Sequence, residues 1–399
     1  MWENKIDINQ VVEIRAKTTT FFGVGAINKM ADVAKSLNDM GIKKVLVMTG
    51  KSSHIKTGAW EVTEKALREN NIEYLLYSKV TPNPTTHQVD EATDVAKKFG
   101  AEAVIAIGGG SPIDAAKSVA ILLAYPEKNC TELYELKFAP SKAAPIVTIN
   151  LTHGTGTEVD RFAVVSIPEK EYKPAIAYDC IYPIYAIDDP ALMTKLPPEQ
   201  TLYVSVDAIN HVVEAATSVV ANPLSILLAK ETIRLVAKYL PIAINDPGNL
   251  KARYYLLYAS LIAGTSFDNG LLHFTHALEH PLSAVKPDLA HGLGLAMLLP
   301  AVVKEIYPAS GEVLAEIFEP ILPGLKGDAS EADKAFEGLR AWLKGIGIKS
   351  QLKDEGFGED VVEKLVNLAF ETPSLDTLLS IAPVKADKES VRNIYTNSL

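Results

Sequence analysis

The order of hydrophobic and polar positions divides the chain into two parts with different periodicity. In the first part, short apolar runs rich in β-branched residues alternate with stretches whose apolar positions recur with the period of a helix. Strands that alternate with helices at this spacing are typical of βαβ units and predict a doubly wound parallel sheet. The predicted strands are 43–49, 73–77, 103–107, 145–149, 162–166 and 182–188, and the predicted helices are about 57–70, 85–99 and 111–124.

Beyond Asp189-Pro190 the pattern becomes helical almost throughout, with proline and glycine at the breaks. A chain of 399 residues exceeds a comfortable single core, so two domains are expected. We predict an α/β domain over residues 1–192 and an all-helical domain over residues 193–399. The cleft between them is the expected place for a small-molecule site.

Composition narrows the class of protein. The formal net charge is −10, which argues against nucleic acid or an anionic membrane as a general partner. Cys130 and Cys180 are too few for a disulfide framework and form no Cys-x-x-Cys pair. Residues 1–17 lack an apolar signal-like core, and no apolar run approaches the length of a membrane span. We expect a cytoplasmic protein.

A glycine-rich segment, 108–110, directly follows the predicted strand 103–107. Strand, glycines and helix start occur in the order that binds phosphate, because glycine lets an anion approach the backbone and the helix start supplies free N–H groups. The segment is not the G-x-G-x-x-G fingerprint. An alternative needs no ligand, since Ser111 as N-cap, Pro112 at N1 and Asp114 at N3 make a good helix start.

A second turn rich in glycine and threonine, 152–158, follows the next predicted strand. Its simpler interpretation is a connecting loop with glycine at positive φ. Two such turns at the ends of neighbouring strands suit a dinucleotide that lies across the sheet edge, and we favour that interpretation.

Histidines cluster in the second part of the chain. Five of the eight lie between 211 and 291, and Asp207 and His211 stand four residues apart, on one face of a predicted helix. His276 and His291 follow, with His280 one turn after His276. One carboxylate and three imidazoles suit a divalent transition metal. A set of merely buried polar groups is the weaker alternative, because an unpaired buried aspartate is costly.

Six short motifs carry a resemblance to a known family. They are FFGVGA (21–26), PNPT (82–85), GGGSPIDAAK (108–117), GTGTE (154–158), VDAINHVVEA (206–215) and HALEHP…HG (276–292). In content, order and spacing the chain resembles the iron-containing (group III) alcohol dehydrogenases. The resemblance implies an N-terminal dinucleotide-binding domain, a helical metal-binding domain and reversible hydride transfer between an alcohol and a nicotinamide cofactor. It also implies a homodimer.

The resemblance implies which residues hold the metal. The family's ligands match Asp207, His211, His276 and His291, with Fe(II) expected and Zn(II), Mn(II) or Ni(II) able to bind the same atoms. His280 matches a histidine beside the metal and is the candidate proton relay, because an unperturbed histidine pKa suits proton transfer near neutrality. A structural role is its alternative. Pro281 disfavours helical geometry at His280 and predicts a kink.

The resemblance also implies cofactor contacts and a substrate pocket. The cofactor-contacting positions match Asn83, Gly109, Gly110, Ser111, Asp114, Thr152, Thr155 and Lys173, and Phe267 matches a pocket aromatic. Phe162 and His153 are further pocket candidates. His153 replaces the family's usual alanine and either alters the pocket or fills space. Asp160 replaces a common threonine, which puts that cofactor contact in doubt, and His273 is interpreted as structural.

Gly50 bears on the choice of cofactor. Relatives that use NAD often place an aspartate after the first strand, where it accepts from the ribose 2′-OH and would repel a 2′-phosphate. Here the residue is Gly50, followed by Lys51, Ser52 and Ser53. We predict that NADP is preferred over NAD. The alternative is that Gly50 is only a turn residue.

Two other functions are alternatives to an alcohol dehydrogenase. One is a glycerol-type or sugar-type relative on the same fold, such as a glycerol dehydrogenase or a dehydroquinate synthase. The other is a non-catalytic protein that binds metal or nucleotide. The Asp-x-x-x-His pair and the grouped histidines favour a dehydrogenase with small-molecule alcohol and aldehyde substrates.

Overall fold

The computed structural model describes residues 2–6 and 9–399. Its strands are β1 Thr19–Phe22, β2 Lys44–Gly50, β3 Glu73–Val80, β4 Ala103–Gly108, β5 Ile146–Asn150, β6 Phe162–Val164, β7 Ala175–Ala177 and β8 Tyr185–Asp188. Within the described residues, a six-stranded parallel sheet has the order β1-β8-β5-β4-β2-β3, and β6 and β7 form a separate antiparallel pair. The predicted parallel sheet is confirmed.

Helices cover both faces of this sheet, which explains the unbroken apolar runs in its central strands. They are α1 Met30–Asp39, α2 Ser53–Lys56, α3 Ala59–Glu69, α4 Thr86–Phe99, α5 Gly110–Ala124 and α6 Cys130–Tyr134. Alternate residues of β2 enter different cores, because Leu46 and Met48 pack towards α4 and α5, whereas Val45 and Val47 pack towards α1 and α3.

Three strands differ from the sequence prediction. β1 and β7 were not predicted, because strands of four and three residues give too short a pattern. The segment 162–166, predicted to close the sheet, instead contributes β6 to an antiparallel pair with β7. A short connection can join antiparallel strands, whereas parallel neighbours need a crossover of about a dozen residues or more.

The second part of the chain is helical, as predicted. Its helices are α7 Pro198–Thr217, α8 Pro223–Asn245, α9 Leu250–Gly270, α10 Phe274–Val285, α11 His291–Ile317, α12 Ala332–Ile346, α13 Glu359–Glu371, α14 Leu375–Ser380 and α15 Lys388–Asn397. They share one apolar core, against which Trp2 and Ile6 from the chain start also pack. The division at residue 192 therefore stays a prediction, since the first residues adjoin the helical part.

Helix α11 is apolar enough to resemble a membrane span. By length and composition it passes that test among the described residues, contrary to the expectation that no apolar run is long enough. However, 78% of its most apolar window is buried inside the protein. It packs on α7, α10 and α12 as the central helix of the core.

Glycines bring the two parts into direct backbone contact. A Cβ added to Gly156 would lie 2.4 Å from Cα of Gly264 in α9. One added to Gly154 would lie 2.5 Å from the carbonyl oxygen of Val204 in α7. The glycine- and threonine-rich turn 152–158 is thus packed tightly against the helices that carry the histidines.

Candidate active site

A cavity of about 1270 Å³ lies between the strand ends of the sheet and helices α7, α9, α10 and α11. Every site residue predicted from the sequence lines it, with the exception of His153. The glycine turn, the histidine cluster and the two pocket phenylalanines therefore open on one space. This position, between a parallel sheet and a second domain, is a common one for ligand sites.

Three imidazoles converge on one carboxylate oxygen at the bottom of the cavity. Asp207 and His211 lie one turn apart on α7, His276 is on α10, and His291 is the first residue of α11. The distances from Asp207 Oδ1 to the Nε2 atoms are 3.5 Å for His211, 3.6 Å for His276 and 4.0 Å for His291. Donor atoms of Asp207, His276 and His291 all lie within 4.8 Å of one another.

The free atoms of this cluster fit a metal ion. Among the described residues, Asp207 Oδ1 and His276 Nε2 are buried without a hydrogen-bond partner. Buried polar atoms are normally paired, so unpaired ligand atoms that face one another are a suitable set for a shared cation. Separations of 3.5 to 4.0 Å suit ligands that each lie about 2.1 Å from one ion.

Glu214 holds His276 from behind. Its Oε2 accepts from Nδ1 of His276 at close range, and its Oε1 accepts from the backbone N–H groups of His273 (2.9 Å) and His276 (3.2 Å). Burial alone would lower the pKa of His276, but the carboxylates of Glu214 and Asp207 outweigh it and raise that pKa to about 9. The hydrogen bond to Glu214 occupies Nδ1 and leaves Nε2 facing the cluster, where a bound metal ion would take the place of the Nε2 proton.

Glu279 and Lys173 hold His291 in the same manner. Glu279 Oε2 accepts from Nδ1 of His291 at close range and from Nζ of Lys173 at 3.2 Å. Burial disfavours the Glu279 carboxylate, but His291 and Lys173 outweigh burial and lower its pKa to about 2. Lys173, predicted to contact the cofactor, thus directs its charge to the histidine side of the cavity.

His211 is held by backbone and by an aromatic ring. Its Nδ1 lies 3.2 Å from the carbonyl oxygen of Gly154, and its ring stacks on Phe267 at 4.5 Å. Burial lowers the pKa of His211 to about 4, so it is neutral near pH 7. Burial raises the pKa of Asp207, but the imidazoles of His211 and His276 outweigh it, and the net pKa lies well below the ordinary value.

Glu214 and Glu279 were missed in the sequence. Each stands three residues after a predicted metal ligand, Glu214 after His211 and Glu279 after His276, and so lies near the same helix face. A search for carboxylates beside the histidines would have found both, because metal-binding histidines usually donate their second N–H to a carboxylate or carbonyl.

His280 faces the cavity from inside α10. Its Nδ1 has no hydrogen-bond partner among the described residues. The expectation that His280 is not helical is wrong, because α10 continues through His280 and Pro281, whereas the kink stays a prediction. The pKa of His280 is not ordinary either. Burial, aided by the charge of Lys173, lowers that pKa well below the usual value.

The glycine turn starts α5 without a side-chain cap. Gly109 is the N-cap and Gly110 the first helical residue, so the alternative with Ser111 as N-cap is wrong. Part of the glycine requirement is internal packing, because an added Cβ would lie 2.7 Å from Thr152 Oγ1 at Gly109 and 2.7 Å from Thr155 Cγ2 at Gly110. Gly109, Gly110 and Ser111 line the cavity, and the first N–H groups of a helix have no partner within it.

Asp114 and Asp160 are held by internal bonds beside this turn. Asp114 accepts from Thr157 Oγ1 (2.7 Å) and from the N–H of Val164 (3.0 Å), and burial raises its pKa to about 6. Asp160 pairs with the buried ammonium of Lys117 at 2.9 Å. The aspartate that departs from the family pattern therefore neutralises a lysine of the glycine motif.

Three further predicted residues occupy distinct places. Asn83 has φ 51° and donates from Nδ2 to the carbonyl of Pro287 at 2.9 Å, across the cavity mouth. His153 does not line the cavity, since it is buried with Nε2 3.1 Å from Ser205 Oγ, as expected of a residue that fills space. His273 is buried with Nε2 2.9 Å from Thr217 Oγ1, as expected of a structural histidine.

A parallel sheet with a glycine-rich turn, joined to helices that bring three imidazoles and a carboxylate together, defines the class of nucleotide-dependent metalloenzymes. The chain belongs to the iron-containing alcohol dehydrogenase family. The family's model, described as iron-containing alcohol dehydrogenase, matches residues 17–190. The model of the family's C-terminal domain matches residues 201–399.

Individual relatives agree over the full length. The chain is 60% identical over 398 residues to a long-chain primary alcohol dehydrogenase of Thermoanaerobacter ethanolicus, covering 100% of both. It is 31% identical to an NAD-dependent methanol dehydrogenase of Bacillus methanolicus, covering 94% of this chain and 97% of the relative. The crystal structure of an NADH-dependent butanol dehydrogenase of Thermotoga maritima superposes with a TM-score of 0.89 at 31% identity, covering 98% of each chain.

The comparisons favour the alcohol dehydrogenase over the glycerol-type and sugar-type alternatives. As a member of this family, the chain is an oxidoreductase that interconverts alcohols and carbonyl compounds with a nicotinamide cofactor.

Proposed function

We propose that the chain binds a divalent metal through Asp207, His211, His276 and His291 and oxidises primary alcohols reversibly. Iron is the metal that the family name implies, while Zn(II), Mn(II) and Ni(II) suit the same donor atoms. The observation that carries the proposal is the convergence of three Nε2 atoms on the unpaired Asp207 Oδ1, in the cavity that also contains the glycine turn.

The residues around the donors have separate tasks. A bound divalent ion supplies Lewis-acid polarisation of a substrate oxygen. Glu214 and Glu279 fix the tautomers of His276 and His291, so that both Nε2 atoms stay available. Phe267 stacks on His211, and with Phe162 at 5.5 Å it excludes water on that side. The N–H groups at the start of α5, with Ser111 and Thr155, cradle the cofactor phosphates.

We assign to His280 a hydrogen bond with the reacting hydroxyl or the cofactor ribose. Because burial lowers the pKa of His280, its ring is neutral at pH 7. The ring can take up a proton transiently but does not remain protonated. Replacing His280 by alanine should lower kcat for alcohol oxidation most strongly at low pH, where solvent accepts a proton least readily. A rate that is unchanged at every pH assigns His280 a structural role.

Primary alcohols with apolar chains are the proposed substrates. The most similar relative named above acts on long-chain primary alcohols, according to its name. Apolar residues, among them Ile176, Leu272 and Leu378, line part of the cavity. Arg161, which also lines the cavity, is paired with Asp268 and Asp179 at 3.4 Å, so it does not call for an anionic substrate.

The first experiment measures reduced nicotinamide by absorbance with primary alcohols from ethanol to octanol and with the matching aldehydes. Protein is purified without oxygen, its metal content is determined, and both NAD and NADP are supplied. We expect alcohol-dependent reduction that disappears after chelation and returns with Fe(II). No turnover with any alcohol or aldehyde, in protein with full metal occupancy, rejects the proposal.

We infer a preference for NADP from the geometry at Gly50. A Cβ added to Gly50 would lie 3.5 Å from the carbonyl oxygen of Val80 and 4.0 Å from Ser53 Oγ, which are ordinary van der Waals distances. The φ angle of Gly50 is not in the positive region that favours glycine. A turn requirement therefore does not explain glycine. Two relatives described above carry NAD or NADH in their names, which argues for NAD instead.

The variant Gly50→Asp tests this preference. In the wild type, kcat/KM should be higher with NADP than with NAD. The new carboxylate should reverse the order by at least ten-fold, which is about 1.4 kcal/mol, because it repels the 2′-phosphate. Gly50→Ala is the control for volume and should keep the wild-type order. A wild type that prefers NAD rejects the inference.

We also propose a homodimer through the N-terminal segment. β1 is an edge strand, and the segment before it exposes Val11 and Ile14 by 97% and 62%. Exposed apolar side chains beside an open edge favour pairing with a second copy. The double variant Val11→Asp/Ile14→Asp should sediment as a monomer, whereas Val24→Asp should not change the mass. A wild type that sediments as a monomer contradicts the proposal. A cytoplasmic location stays a prediction from the sequence.

A further inference from the structure

The connection between α9 and α10 contains an unusual backbone conformation. Leu271 has φ 61° and ψ 173°. This region is essentially restricted to glycine, because a Cβ collides with the neighbouring peptide groups. A leucine stays there only when the surrounding structure leaves the backbone no other choice.

The residue before Leu271 is fixed against α7. A Cβ added to Gly270 would lie 2.3 Å from the carbonyl oxygen of Ala215, so the two backbones are in contact. Ser218 Oγ donates to the carbonyl oxygen of Gly270 at 2.5 Å. The peptide between Gly270 and Leu271 therefore cannot rotate.

The N–H of this peptide and the backbone after it are fixed as well. The N–H of Leu271 donates to the carbonyl oxygen of Phe267 at 2.7 Å. The N–H of His273 donates to Glu214 Oε1 at 2.9 Å, and Glu214 also holds His276. The same carboxylate that orients a histidine of the cluster thus anchors the connection, and the conformation of Leu271 is determined from both ends.

Leu271 forms part of the cavity wall. Leu271 and Leu272 are half-buried and line it, one turn beyond Phe267, whose ring stacks on His211. Leu378 and Ile381 line the same cavity, and Ile381 accepts from the N–H of Val219, which follows α7. An apolar wall therefore begins next to the histidine cluster and continues on the helical side.

We propose that Leu271 is a specificity-determining residue that contacts the alkyl chain of the alcohol. Glycine would adopt this backbone conformation without strain, so what a leucine adds at this position is a side chain at the cavity wall. The proposal rests on the proposed function and deepens it, since it names the residue that makes longer chains better substrates. Phe267 stacks on His211, whereas no such contact joins Leu271 to the histidines, so we expect Leu271 to contact carbons remote from the reacting hydroxyl.

The test compares Leu271→Gly and Leu271→Ala with the wild type on ethanol, butanol, hexanol and octanol. Burial of one methylene group changes an equilibrium constant roughly four-fold, so loss of contact with two groups should raise KM for hexanol by at least about ten-fold. KM for ethanol and kcat for all chains should stay within about two-fold. Leu271→Gly should also raise Tm, because strain is removed.

Leu136→Gly is the matched control. Leu136 also has a positive φ of 55° and also lines the cavity, but it is 47% exposed at the end of α6. Its replacement should leave the dependence on chain length unchanged. If Leu271→Gly folds poorly, Leu271→Ala still provides the test, because it shortens the side chain without adding the backbone freedom of glycine.

The outcomes distinguish failure of the specificity role of Leu271 from failure of the proposed function. If the wild type oxidises no alcohol, the proposed function fails. If the wild type is active and both Leu271 variants keep its dependence on chain length, the specificity role is overturned. A fall in kcat for every alcohol, with KM unchanged, would likewise overturn it, because that result points to a disturbed histidine cluster.

Discussion

The two sides of the cavity hold their polar groups in opposite ways. On the nucleotide side, Asp114 has both carboxylate oxygens bonded within the protein, and Gly109 packs on Thr152. On the histidine side, Asp207 Oδ1 and His276 Nε2 are unpaired among the described residues and face one another. The first side recognises its ligand by backbone and shape, whereas the second is organised around a positive charge.

Removing the central carboxylate should have the largest effect on this contrast. Asp207→Asn keeps the volume but removes the charge that the three imidazoles surround. We expect the metal content after dialysis to fall to background. The rate of alcohol oxidation should fall more than about 100-fold, which is a larger loss than replacement of a residue that only orients a metal ligand produces. Cofactor binding, followed by fluorescence, should persist. A variant that retains metal and rate contradicts the ligand assignment.

The carboxylates behind the histidines should matter less. Glu214→Gln can no longer fix the Nδ1 proton of His276 by charge, so the affinity for metal should fall about 10–100-fold. Competition with a chelator measures this independently of turnover. Glu158→Gln, another fully buried glutamate, is the matched control and should keep the affinity. If the wild type, Glu214→Gln and Glu158→Gln bind metal with equal affinity, Glu214 serves only to anchor the backbone of α10.

Much of the fold could be predicted from periodicity, and the failures have identifiable causes. Buried strands such as β4 and long helices such as α7 leave strong patterns. β1 and β7 do not, because strands of three or four residues are shorter than the window that a period needs. The placement of β6 outside the main sheet depends on tertiary pairing, which no local pattern encodes.

The site divides in the same manner. The histidines could be predicted because few residue types bind metals, and a cluster of them is conspicuous. The role of Lys173 could not, because a lysine in a loop bonds to whichever acid the fold brings near, here Glu279 from α10. The depressed pKa of His280 was also out of reach, since it depends on burial and not on sequence neighbours.

Ligand binding on the nucleotide side should be sensitive to added side-chain volume, whereas metal binding on the histidine side should be sensitive to loss of charge. In Gly109→Ala the new Cβ would lie 2.7 Å from Thr152 Oγ1, so the turn must shift. Overpacking of this kind costs about 1–3 kcal/mol, and we expect KM for the cofactor to rise roughly ten-fold with metal content unchanged. Gly345→Ala, with open space around it, should change neither. Loss of metal in Gly109→Ala would contradict the independence of the two sides.

The smallest expected effect concerns a buried acid outside both sides. Burial raises the pKa of Asp188 to about 7, although the nearby amide of Asn150 opposes the shift. A raised pKa means that the folded protein keeps a proton that the unfolded chain releases, so stability falls as pH rises from about 4 to 7. Asp188→Asn should flatten this slope in urea denaturation at pH 5 and pH 8. An unchanged slope would show that Asp188 is ionised in the folded protein.

The backbone contact between Gly156 and Gly264 has a mechanical consequence. It is close to the histidines, because Gly154, two residues before Gly156, bonds to His211. Since these backbones touch, the sheet and the helices would have to turn about this point if they moved against each other. His211, bonded beside that pivot, would then shift least, so the spacing of the cluster would be protected from such a movement.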